Sequence, residues 1–197
     1  MKTMFVLTCL WLGLSLSMVE AQVVKDPLLD YYQSTKAGDS SGDKESHFSP
    51  QTPIYYFEAN FTGNGRKSFF ITDDESREGP HGTYGWSVYY PLASGGYQKL
   101  DDVVSMGKFG PAYVGYVAEI KGPGIVDSGK HVVSVQYLSD GQLKTTFLGK
   151  NQEAEKENYP KYFGSPPKWQ IQKTTLAQLA RTYANPDPAN VITPAAQ

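Results

Sequence analysis

A chain of 197 residues with Lys+Arg 18 against Asp+Glu 20, and so a formal charge of −2, carries no strong field of either sign. That balance excludes the broad electrostatic footprint selected by nucleic acid or an anionic membrane surface. One cysteine beside 14 Tyr, 19 Gly and 13 Pro excludes a disulfide-stapled scaffold and favours strands and tight turns over long helices.

The first residues, "MKTMFVLTCLWLGLSLSMVEAQ", place Lys2 before an apolar run from Phe5 to about Val19, followed by the small residue Ala21. This pattern predicts a secretory signal peptide over 1–21, cleaved near Ala21. The run is shorter than the roughly 20 residues a spanning helix needs, so no membrane span is expected after cleavage. Cys9 lies inside this segment. The mature chain is therefore expected to hold no disulfide, no thiolate nucleophile and no sulfur ligand for zinc. Export without cysteine fits a periplasmic or secreted bacterial protein.

Residues 22–53 read as an N-terminal segment and flexible linker. In "DPLLDYYQ", Asp26 can cap one or two helical turns that begin at Pro27. From Ser34 to Pro53 the chain is polar, rich in Gly and Ser and without period, as expected of a linker holding the first segment apart. Residues 54–148 form the expected β domain. "PIYYFEANF" alternates in the manner of a half-buried strand, and "RKSFFIT", "WSVYYPL", "GYQKL", "AYVGYVAEI", "HVVSVQYL" and "QLKTTFL" follow. "KGPGIVDSGK" reads as turn, and Asp140–Gly141 is the strongest hairpin signal in the chain. Residues 149–197 read as an irregular extension ending in a helix that packs on the domain. In it Leu176, Leu179, Ala180 and Tyr183 recur at helical spacing behind a cap at Thr174 or Thr175. The fold class predicted is mainly β, of α+β type: an antiparallel sheet, sandwich or small barrel of about seven strands with one C-terminal helix.

Between the first two strands, "NFTGNGRKS" sets Asn60, Thr62, Asn64 and Ser68 at oxygen-bearing positions around Gly63 and Gly65. Entered from one strand and left into the hydrophobic "FFIT", it resembles the Asp-rich calcium turn of FG-GAP/VCBS-type repeat proteins. With the later "GWSVYY", residues 54–90 look like small exported bacterial proteins of unknown function that carry the turn once. The resemblance implies a metal site at Asn60, Thr62, Asn64 and Ser68. Every side chain at those positions is neutral, whereas calcium sites need carboxylate charge to offset desolvation of the ion. The expectation is a degenerate loop kept as a hairpin, with no cofactor beyond weak calcium binding through backbone carbonyls. A single copy also excludes a propeller, which needs at least four blades. Asn60-Phe61-Thr62 matches a glycosylation acceptor and is read as incidental.

"TDDESREGPHG" gathers Asp73, Asp74, Glu75, Glu78 and His81 in one loop, and Asp73 with His81 makes an alternative metal site. A solvated acidic loop is the simpler reading. No nucleophile elbow, phosphate loop or paired acid and base stands out, so no catalytic residue is assigned. The aromatics of several strands fill a core with one face and offer a binding platform with the other. Trp86, Tyr89 and Tyr90 are the ligand-binding candidates, Trp86 being also the one expected at the centre of its strand. The function expected is an exported, non-enzymatic structural or binding domain, with a glycan or another envelope protein as partner. The alternative is an exported hydrolase or metal-dependent enzyme built on the 73–81 loop.

Overall fold

Aromatic and β-branched residues alternate through most of the segments that pair as strands, and helices close the two outer faces. The structure, a computed structural model, describes residues 23–39, 49–78, 82–128, 132–149, 156–163 and 169–184. The expected signal peptide and all three histidines, His47, His81 and His131, lie outside the described residues.

The first sheet holds β1 (Pro53–Ala59), β2 (Ser68–Asp73), β3 (Arg77–Glu78), β4 (Thr83–Pro91), β5 (Tyr97–Lys99), β6 (Val104–Gly107) and β11 (Gln172–Thr175). Its order is β11-β1-β2-β4-β3, with β5 and β6 also paired to β4, and every pairing is antiparallel. Strand β4 is long enough to serve two neighbourhoods. Thr83–Trp86 pairs with β6, while Tyr89–Pro91 pairs with β5. The second sheet is a meander of β7 (Tyr113–Val117), β8 (Gly122–Ser128), β9 (Val133–Ser139) and β10 (Gln142–Gly149), in the order β10-β9-β8-β7.

The chain is thus mainly β, with eleven strands among the described residues in two antiparallel sheets, neither closed into a barrel. The sequence suggested about seven. Most of the additional strands are short, and one was misread. "GPGIVDS" looks like turn chemistry yet forms β8, inside the second sheet. The glycine there serves packing. A Cβ on Gly124 would stand 3.1 Å from Ile120 Cδ1 and from Val135 Cγ1, so its absence lets β9 lie close.

Each sheet alternates between two cores. On one face of the first sheet, Ile54, Phe69, Ile71 and Tyr89 meet helix α1 (Pro27–Asp39) and helix α3 (Leu176–Ala184) through Leu28, Tyr31, Tyr32 and Leu179. On the other, Phe57, Phe70, Trp86, Val88 and Met106 pack with Ile125 of the second sheet. The far face of the second sheet buries Val117, Val126, Val133 and Val135 against Tyr162 of the short helix α2 (Pro160–Phe163). All six residues of β2 are buried, as befits a strand with both faces covered.

The N-terminal segment departs from expectation. Helix α1 runs to Asp39 instead of ending after two turns, and it forms part of the core instead of standing apart. Its apolar residues explain why, since Leu28, Tyr31 and Tyr32 recur on one face. Asp26 caps it as expected, with Oδ1 accepting from the Leu28 and Leu29 amides at 3.0 and 3.1 Å. Just before it, Val24 pairs with Tyr97 by two backbone hydrogen bonds of 2.8 and 2.7 Å. Of the linker expected over 34–53, residues 34–39 belong to α1 and Pro53 opens β1, while 40–48 lie outside the described residues. At the other end, the cap foreseen for the C-terminal helix is present, with Thr175 Oγ1 accepting from the Gln178 amide at 3.2 Å.

Candidate functional site

The loop between β1 and β2 turns on Gly63 and Gly65, whose φ values of 72° and 83° belong to the left-handed region. Asn64 closes an Asx turn, its Oδ1 accepting from the Arg66 amide at 2.9 Å. The Arg66 guanidinium donates to the Leu92 carbonyl, and Lys67 pairs with Glu58 at 3.2 Å. Asn60 is exposed, whereas Ser68 is wholly buried at the start of β2. Thr62 Oγ1 and Ser68 Oγ are buried with no hydrogen-bond partner among the described residues. The four oxygens proposed as ligands thus divide between solvent and core, and one of them already serves the turn. Gly63 rests on Pro123 of β8, where an added Cβ would meet Pro123 Cγ at 3.2 Å. The hairpin tip therefore docks the first sheet onto the second.

Asp73, the carboxylate of the alternative metal site, is 1% exposed and fully engaged. Its Oδ1 accepts from the Glu75 amide at 2.9 Å, the Ser76 amide at 2.8 Å and Ser76 Oγ at 3.0 Å, and its Oδ2 from the Tyr31 hydroxyl. These bonds fold the loop back and fasten α1 to β2. Asp74 instead faces Lys108 at 2.5 Å, and that ammonium also lies 4.5 Å from the centre of the Tyr55 ring. The hydrogen bond that the Lys108 ammonium donates to Asp74 is the main cause holding the amine protonated well above its ordinary range. Among the described residues no three His, Cys, Asp or Glu side chains group together.

The three aromatic candidates do not share a surface. Trp86 is fully buried between the sheets, edge-on to Phe57 with ring centres 5.2 Å apart. Tyr89, on the opposite face of β4, is fully buried against α1, and its hydroxyl donates to Asp30 Oδ2 at 2.9 Å. Tyr90 returns to the Trp86 side and is half-buried. Strand alternation sends neighbours to different cores, so these rings complete the interior and offer no common platform.

An accessible recess lies elsewhere, where β6 meets β9 and β10. A groove of about 480 Å³ is lined by Asp102, Val103, Ser105, Ser134, Gln136, Leu143, Thr145 and Phe147. Val103 and Phe147 stand on it at 45% and 66% exposure. Its floor is polar and held rigidly. The buried Gln136 carboxamide donates to the Ser105 carbonyl at 2.7 Å and accepts from the Ser105 amide at 3.1 Å. Asp102 is the one ionisable side chain among the lining residues. Phe147 also borders a smaller recess of about 320 Å³ with Tyr137, Leu148 and Tyr159. Sequence reasoning passed over this region because "QLKTTFL" reads only as one more strand of a hairpin. The available signal was Phe147 itself, an aromatic in a strand with a single charge.

No family model matches the chain, and no curated protein or solved structure is significantly similar to it. Among the described residues, no helix is long and apolar enough to cross a membrane.

Proposed function

We propose that the chain is an exported binding domain without a catalytic role, and that its working surface is the groove between β6 and β10. The observation that carries this reading is the exposure of Val103 and Phe147 over a floor of serine, threonine and glutamine side chains. Apolar walls over a few fixed hydrogen-bonding groups suit recognition of an extended or ring-shaped ligand, the apolar contact giving affinity and the polar floor orientation. A lone carboxylate at the rim provides no acid and base pair for proton transfer. The 73–81 loop is less apt for chemistry, because its Asp73 is consumed in holding α1 and the loop together. An envelope glycan or a peptide segment of an envelope protein has the chemistry the groove suits.

Glycan and peptide arrays probed with the chain, and with its Val103→Asp and Phe147→Asp variants, test the reading. A ligand whose binding falls at least about tenfold in both variants supports it, such a loss being that of one well-buried apolar contact. Retention of every ligand by both variants contradicts it.

A further inference from the structure

The outer edge of β10 is the longest strand edge left open among the described residues. β10 has eight residues, against five in β7 and four in β11. The others are also better guarded. On β7 the Tyr113 hydroxyl donates to the Tyr116 carbonyl at 3.2 Å, and β11 runs directly into α3. Among the described residues β10 is guarded only by Lys144 and by the irregularity at its end, between Phe147 and Gly149, and it has no proline.

Which backbone groups face outward follows from the turn. Asp140 and Gly141 have φ values of 54° and 74°, a type I′ hairpin closing on Ser139 and Gln142. Such a turn closes on a hydrogen-bonded pair, and antiparallel alternation then commits Gln142, Lys144 and Thr146 to β9. The N–H and C=O groups of Leu143, Thr145 and Phe147 are left pointing away from the sheet.

We propose that a second copy of this chain pairs with β10, antiparallel about a two-fold axis at Thr145. This goes beyond the binding role and shares Leu143, Thr145 and Phe147 with the groove, so pairing and a ligand there compete for the same residues. Residues that face each other across two strands lie on one face of the sheet, so a two-fold pairing must be centred on a residue. That residue either points outward and bonds its own copy, or points inward and is flanked by hydrogen-bonded pairs. Centring on the inward-pointing Lys144 sets two ammonium groups opposite each other, and centring on Thr146 brings the irregularity between Phe147 and Gly149 into the seam. Centring on Phe147 runs into the irregularity between Phe147 and Gly149, and centring on Leu143 runs into the turn at Asp140–Gly141. Centring on Thr145 uses all three outward residues. Leu143 of each copy then faces Phe147 of the other, covering the aromatic that is 66% exposed in the single chain. The two four-stranded sheets become one continuous sheet, and the open edge is removed from solution.

The test is sedimentation and crosslinking of the full chain carrying Cys9→Ala. The expected result is a concentration-dependent doubling of mass. A short bismaleimide joins two copies of a Thr145→Cys variant but not of Gln142→Cys, whose thiols lie roughly 20 Å apart in this register. Thr145→Pro removes an outward-facing N–H without touching the bonds to β9, and such edge positions tolerate proline. It is expected to weaken association roughly thirtyfold, the loss of two cross-strand hydrogen bonds, with an unchanged circular dichroism spectrum. A monomer at every concentration overturns the proposal and leaves the edge to a strand of a different protein. A dimer that crosslinks equally at both cysteines, or ignores Thr145→Pro, overturns it as well.

Discussion

The carboxamide of Gln136 pairs with the backbone of Ser105 as a peptide group of a neighbouring strand would. One bond of 2.7 Å runs to the Ser105 carbonyl and one of 3.1 Å comes from its amide. A side chain of the second sheet thereby continues the hydrogen bonding of the first, and the join forms the floor of the groove. Gln136→Ala removes both bonds from a site that is 4% exposed, so a loss of roughly 2–4 kcal/mol is expected in urea unfolding. Gln136→Glu sets a carboxylate oxygen against the Ser105 carbonyl and is expected to cost at least as much at neutral pH. A Gln136→Ala variant within about 0.5 kcal/mol of the parent would show that the sheets are held without this bridge.

Two buried tyrosines make the fold sensitive to alkali. Burial, and then the charge and hydrogen bond of Asp73, push the Tyr31 hydroxyl well above the ordinary tyrosine range. Burial and then Asp30 do the same for Tyr89. The folded chain holds both protons more tightly than the unfolded chain. Their contributions are therefore complete below about pH 10 and decline as the pH rises beyond it. Each is expected to remove roughly 1–2 kcal/mol of stability per pH unit above that point. Tyr31→Phe and Tyr89→Phe should each flatten the alkaline slope of stability against pH. A slope unchanged by both substitutions contradicts the assignment.

Asp26 joins the two ends of the described chain. Its Oδ1 caps α1, and its Oδ2 accepts from the Tyr183 hydroxyl of α3 at 2.9 Å. Asp26→Ala loses the cap and the tie together, a cost of about 2 kcal/mol. Hydrogen exchange should quicken in α1 and α3 before it does so in β2. Uniform acceleration through the sheets would mean that the helices have no separate opening.

The tip of the first hairpin is read as a docking contact. Gly63 and Gly65 share left-handed φ values, but only Gly63 meets a neighbour, Pro123, while Gly65 faces open space. Gly65→Ala is expected to cost about 1 kcal/mol for its backbone alone, and Gly63→Ala measurably more. Millimolar calcium is expected to leave the melting temperature unchanged. Asn64 Oδ1 is engaged with the Arg66 amide, and Arg66 and Lys67 bring positive charge to the loop. A calcium-dependent rise in melting temperature that Asn64→Ala abolishes would restore the metal reading.

Much of the fold is legible where local chemistry and burial agree. The alternation in "PIYYFEANF", the Asp140–Gly141 turn, the Asp26 cap and the helix behind Thr175 all announce themselves in short windows. β8 does not, because Gly122, Pro123 and Gly124 have the chemistry of a turn. Only the closeness of Val135 and Ile120 shows why Gly124 belongs in a sheet. α1 is misjudged for a related reason. Its second half, "STKAGD", has little helical character of its own and extends a segment whose first half is anchored on the sheet. The candidate site is the least legible part. Gln136 and Ser105 are 31 positions apart and meet only when two sheets stack, and no local pattern tells an aromatic that fills a core from one left outside.

The most direct test of the groove as the working surface is amide chemical-shift mapping of the isotope-labelled chain, titrated with the tightest ligand from the arrays. The account predicts shifts confined to Asp102–Ser105, Ser134–Gln136 and Leu143–Phe147. Shifts centred on Asn60–Ser68 or on Asp73–Glu78, with the groove silent, would contradict it.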